Sequence, residues 1–221
     1  MKAMPMFLRC AATFVLLASF AVAQKDPTAL LDAAAQTFKQ IQSDENKGIP
    51  PDLLEKAQCI CVLPGTRSAG FLVGSSYKRG ILTCRTGASW SGPAIVRLEG
   101  DQALTIGGGE ADVVFLMNQR GMDKIMGGKF TFGGDVSATA GPIGRTSDSV
   151  PDAQMRSEVL SYSHSRGLLS GFSPNGLRLL IDSEANAALY GRAVGQYKIL
   201  NGEAKPVVKI NYPECPPLCK K

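Results

Sequence analysis

Residues 127–145, GGKFTFGGDVSATAGPIGR, limit what this chain can fold into more than any other stretch. Six glycines and a Gly-Pro-Ile-Gly-Arg ending interrupt apolar residues that alternate as in a strand. Glycine permits positive φ and brings no Cβ, so such a stretch builds a sheet with close backbone approaches. It holds no His or Cys, and no Ser beside a plausible base, which is not the make-up of an active site.

The 221 residues, 44% of them hydrophobic, suffice for one sizeable core. Lys2 and Arg9 precede an apolar run at 11–22, and Ala21-Val22-Ala23 places small residues where a signal peptidase cuts. Residues 1–23 therefore read as a signal peptide, too short in its apolar run for the roughly 20 residues that span a bilayer. The expected product is exported, to a periplasm or the extracellular space. Its charge falls from +5 to +3, with 22 basic against 19 acidic residues, and this gives no concentrated basic footprint for nucleic acid.

Five cysteines follow the leader: Cys59, Cys61, Cys84, Cys215 and Cys219. Export would let disulfides persist. Cys59 and Cys61 share a face if they lie on a strand, and Cys84 follows in a nearby strand-like run. The expected pairings are one of the first two with Cys84, and a second bridge within the tail or from tail to body. The odd count leaves one thiol over. Cys-x-Cys and Cys-x3-Cys with no neighbouring His do not match the usual zinc spacings, and no metal or cofactor is expected.

Asp26-Pro27 starts a helix whose Leu31, Ala34, Phe38 and Ile41 recur at helical spacing, making it amphipathic. Gly48-Ile49-Pro50-Pro51 breaks the chain before a short helix at 52–58. Strand signals follow at 59–63, 70–78, 80–85, 93–98, 102–106, 112–117 and 129–140, with a single short helix at 118–126 stopped by Gly127-Gly128. Further strands read at 157–164, 167–173 and 176–182. Asp182-Ser183 then caps a helix that runs to Tyr190 and closes on Gly191. The tail from 201 is Pro-rich near its end and reads as irregular or stapled.

Several short motifs stand in a distinctive order: Gly70-Phe71 with Gly74 and Tyr77; Ser89-Trp90-Ser91-Gly92-Pro93-Ala94; Asp112-Val113-Val114; Gly141-Pro142-Ile143-Gly144-Arg145; Ser161-Tyr162-Ser163-His164-Ser165-Arg166-Gly167-Leu168; and Ala188-Leu189-Tyr190-Gly191. In this order, over roughly residues 30–192, the chain resembles the SYLF domain family of lipid-binding modules. The resemblance implies binding to lipid head groups or membranes, assisted by the N-terminal helix. Actin binding, known in yeast relatives, does not suit an exported protein. The chain departs from the family at His164, where a basic residue is common, and in its cysteines and tail.

Catalysis finds no constellation. His164 is the one histidine, and Ser163 and Ser165 beside it would point to the opposite face of a strand. Ser161 would lie about 10 Å along the chain from it. Gly127-Gly128-Lys129-Phe130 lacks the Lys-Ser/Thr ending of a phosphate loop. Asp112 and Asp135 sit by glycine-rich turns, where hydrogen bonding to turn amides is the ordinary role of a carboxylate. Anion binding has a mechanism: Arg120, Lys124 and Lys129 flank the short helix, while Arg145, Arg166 and, further off, Arg97 lie beside glycine turns whose amides can form nests. Arginine offers a planar fork for phosphate oxygens. Phe71, Phe115 or Leu168 at a rim would reach the acyl boundary. Trp90 leaves two readings, an interfacial anchor or a plug at the end of the core.

The expected architecture is α+β: a glycine-rich, mainly antiparallel β barrel or sandwich with an N-terminal amphipathic helix and short covering helices. Residues 24–198 form the SYLF-like domain, and 199–221 a Pro/Cys-containing tail. The expected function is non-enzymatic binding of phospholipid or an anionic membrane surface. The alternative is a cell-envelope structural or protein-interaction module with a protein partner and no lipid ligand.

Overall fold

Local signals set most elements of the computed structural model, which describes residues 27–43, 48–65, 77–100, 111–140, 155–165 and 175–207. The leader, residues 70–76 of the strand read at 70–78, the strands read at 102–106 and 167–173, and Arg145, Arg166, Cys215 and Cys219 lie outside these residues. Helix α1 (Pro27–Ser43) buries Leu30, Leu31, Ala34, Phe38 and Ile41. Helix α2 (Pro51–Lys56) has Pro51 at its first position, where the missing N–H costs nothing, and leads into β1 (Cys59–Leu63). Strands β2 (Tyr77–Thr86), β3 (Ser89–Trp90), β4 (Ala94–Glu99) and β5 (Ala111–Met117) follow. Helix α3 (Gln119–Met126) starts at Asn118, whose side chain accepts from Gly121 N–H at 3.0 Å.

After α3 come β6 (Ala138–Ala140), β7 (Val159–Ser165) and β8 (Arg178–Ile181). Helix α4 (Ser183–Tyr190) is capped by Asp182, which accepts from Ala185 N–H at 3.1 Å, and ends on Gly191 with φ of 67°. That left-handed conformation is why glycine stands there. A last short helix, α5 (Gln196–Leu200), was not legible in the sequence, because five residues carry no period.

The strands form a curled half-barrel in the order β6-β7-β5-β1-β2-β4-β8, with β3 pairing β2. Every pairing is antiparallel except β6 with β7. The expected continuous strand over 129–140 is corrected here. A turn at Gly133-Gly134-Asp135 cuts it, held by the Asp135 carboxylate accepting from Thr131 N–H at 3.0 Å and by Gly133 at φ of 77°. The cut lets the segment act as a strap. Before the turn, Leu179 N–H donates to Phe130 O and Phe132 N–H to Leu177 O, along the β8 edge. After it, β6 pairs β7 at the opposite edge.

Residues directly opposite across neighbouring strands share a face. One face carries Cys59, Cys61, Leu82, Cys84, Phe115 and Met117. The strap covers it, with Phe132 packed on Phe115 at 4.9 Å and on Phe130 at 5.2 Å between ring centroids. The other face carries Ile60, Val62, Ile81, Val114 and Leu116. Asp112 shares that second face and accepts from Thr37 of α1 at 3.1 Å, which places α1 there. The sheet is thus sandwiched between a phenylalanine-bearing strap and a helix. Phe115 is fully buried in the core, not at a rim as the sequence suggested.

Cys59 and Cys84, paired in register, form a disulfide. Cys61 is a free, buried thiol, and burial pushes its pKa far up, which makes it inert. Trp90 is partly buried against the core, with the Arg85 guanidinium 4.7 Å above its ring, and so acts as a plug.

Candidate functional site

Helix α3 and the strap bring Arg120, Lys124 and Lys129 to one end of the half-barrel, all three exposed. Their states differ. Arg120 donates to Arg156 O and lies 3.7 Å from Glu158. Desolvation alone would raise the Glu158 carboxyl, but hydrogen bonds involving Ser137 and the Arg120 charge outweigh it and hold the group below the usual carboxylate range. Lys124 and Lys129 make no ion pair among the described residues, and Lys129 N–H donates to Lys124 O at 3.2 Å, so their backbones are neighbours.

The first turn of α3 is not a free anion site, since Asn118 fills it. That side chain also donates to Met155 O and Ser157 O at 3.0 Å each. The last turn is closed by α5: Gln196 Nε2 donates to Met126 O at 2.9 Å and Ile125 O at 3.4 Å. Directly after Gln196 stand Tyr197, 60% exposed, and Lys198, also exposed. The sequence did not single out either residue. An exposed Tyr beside a buried Ile199-Leu200 pair has no distinguishing pattern until α5 is seen against α3.

Arg97 stands elsewhere. Its guanidinium meets Glu99 at 2.7 Å, lies 5.8 Å from the centre of the Tyr77 ring, and pairs in register with Arg79. Arg79 is five residues along β2 from Cys84, about 17 Å, and Cys84 aligns through Cys59 with Met117, where α3 begins. Ser165, the residue before Arg166, pairs with Ala111, six residues of β5 away from Met117, about 20 Å.

Ser161 donates to Thr139 O at 3.1 Å, and His164 stands opposite Asp112 in the β5–β7 register. The Asp112 carboxylate accepts from Thr37 and from Gly65 N–H, the turn-amide role expected of it. Among the described residues no group of three or more His, Cys, Asp or Glu side chains is placed to hold a metal ion. No helix among them is long and apolar enough to cross a membrane.

A family model described as "Las17-binding protein actin regulator", Ysc84, matches residues 99–219, more than half of the chain. The chain belongs to the Ysc84 (SYLF) family. It is 33% identical over 164 residues to LAS seventeen-binding protein 3 of Saccharomyces cerevisiae, covering 72% of this chain and 36% of that protein. It is 34% identical over 163 residues to SH3 domain-containing YSC84-like protein 1 of Xenopus laevis, covering 72% of this chain and 48% of the relative. The human protein of that name is 31% identical over 162 residues, with 72% and 47% covered. The chain therefore spans between a third and a half of the length of these relatives.

Ysc84-family membership corrects the expected localisation. The relatives are yeast and vertebrate proteins named for binding Las17 or for an SH3 domain, and the family is described as an actin regulator. A role in a periplasm or outside the cell is overturned by that relationship. The expectation of export draws on residues 1–23, whereas the relationship rests on more than 160 aligned residues.

Proposed function

We propose that this chain is a non-enzymatic protein-interaction module whose partners are of the class named for its relatives, a Las17-type protein or actin. The observation that carries the reading is the family match over residues 99–219, under a description that names a protein partner. The architecture supports it. A half-barrel filled by a phenylalanine cluster and covered by α1 leaves its chemistry on the outer surface, in exposed side chains that can meet another protein. Co-sedimentation of the full chain with actin filaments, and pull-down with a Las17-type protein, test it directly. Binding to either is the expected result; failure with both removes the reading.

A second reading is retained because of Arg120, Lys124 and Lys129. Three exposed cations at one end of the half-barrel suit an anionic phospholipid surface, with Arg145 and Arg166 as further candidates. Liposome co-sedimentation with and without acidic phospholipid addresses this reading. Equal absence of binding to both vesicle types would sink it.

A further inference from the structure

The junction of α3, the strap and α5 joins two observations that the family relationship does not explain. Among the described residues, the large hydrophobic side chains left exposed are Tyr197 and Val207, at 60% and 66%. Tyr197 stands where the end of α3 meets the start of α5, fixed by the Gln196 hydrogen bonds to Ile125 O and Met126 O. The same junction carries Lys124 in the last turn of α3, Lys129, whose N–H donates to Lys124 O at 3.2 Å, and Lys198, next in sequence to Tyr197, all exposed and without an ion pair among the described residues. Two acids on these elements are hydrogen-bonded to amides: Asp123 accepts from the Gln119 amide at 2.9 Å and Glu203 from the Asn201 amide at 2.7 Å.

We propose that this face docks an acidic segment of a protein partner, whose carboxylates meet Lys124, Lys129 and Lys198 while an apolar side chain packs on the Tyr197 ring. The proposal rests on the interaction-module reading and names the chemistry of the partner. Charge complementarity supplies the attraction and the orientation. An exposed tyrosine on a helix whose preceding residue is hydrogen-bonded to α3 is the kind of anchor that carries much of the energy of a protein interface. A membrane is the poorer fit. An interfacial element needs a stripe of apolar side chains to enter the acyl boundary, and here there is one ring.

The test uses the full chain and a fluorescein-labelled polyglutamate peptide read by anisotropy, with phosphatidylcholine vesicles containing phosphatidylserine as a parallel arm. Binding of polyglutamate is expected, weakened about tenfold or more in K124E/K129E/K198E and at least about fivefold in Y197A. K198E is compared with K39E, which makes the same change of charge on the exposed side of α1; only K198E is expected to weaken binding. All these side chains are exposed, so the variants keep the fold, which circular dichroism and melting verify. The proposal is overturned if K198E and K39E act alike, if Y197A changes nothing, or if this face captures the anionic vesicles and not polyglutamate. Actin or Las17-type binding that persists undiminished in the triple variant overturns the docking face and leaves the module reading standing. Absence of any protein binding by the unaltered chain removes the module reading instead.

Discussion

Asn186 of α4 satisfies both backbone groups of Ile95, accepting from its N–H at 2.8 Å and donating to its carbonyl at 2.7 Å. The same amide nitrogen donates to Asp182 O at 2.8 Å. Asn186 is 0% exposed, and it does for this stretch of β4 what a neighbouring strand would do. Asn186→Leu fills the space but leaves the Ile95 N–H unpaired, while the Ile95 carbonyl keeps the Asp182 N–H at 2.9 Å. The expected cost is about 1–3 kcal/mol, measured by urea unfolding, because the orphaned buried N–H keeps its desolvation penalty. A loss under about 0.5 kcal/mol, the range of ordinary surface changes, would contradict this account.

The Cys59–Cys84 disulfide closes a loop of sequence separation 25 between adjacent strands. Chain entropy puts its contribution at about 3.5 kcal/mol. The double variant C59A/C84A is expected to melt about 10 °C lower than the oxidised chain. Cys61 should resist alkylation in the folded protein and react once the chain is unfolded, which mass spectrometry reads directly.

Lys78 lies on the strap face of β2, 4% exposed. Burial lowers its pKa from 10.5 to about 8, against the opposing pull of the Asp112 charge. The sign follows from proton counting. Between about pH 8 and pH 10.5 the unfolded chain holds this proton and the folded chain has lost it, so stability rises with pH across that window. Below it, both states carry the proton and the burial penalty is constant. Against the Lys78→Met variant, the unaltered chain should gain on the order of 3 kcal/mol from the bottom to the top of this window. A difference that stays flat would show that the ammonium is solvated.

Gly80 leaves no room for a side chain. A Cβ there would meet Val62 O at 2.5 Å and Leu63 Cγ at 2.9 Å, and the first of these is backbone that cannot turn aside. Gly80→Ala is therefore expected to cost at least about 2 kcal/mol in denaturant unfolding. Gly195, where an added Cβ meets nothing within 4 Å, provides the control. Gly195→Ala is expected to leave stability nearly unchanged.

Elements with short-range causes were readable from the residues. Asn118 and Asp182 cap helices within three residues of themselves, Gly191 ends one by its own conformation, and Leu31, Ala34, Phe38 and Ile41 declare a face by their spacing. Cysteine positions narrowed the bridge to a short choice that included Cys59 with Cys84. Strand pairing, burial and surface juxtaposition depend on residues far apart in the chain, and only the tertiary structure decided them. It cut the strap at Gly133-Gly134-Asp135 so that one segment reaches both edges of the sheet, sent Phe115 inward, and buried Lys78. It also set Tyr197 beside the end of α3, because Gln196 finds its carbonyl partners about 70 residues back along the chain. Capping and periodicity act over one or two turns, while register and docking are settled by which distant apolar faces cover one another.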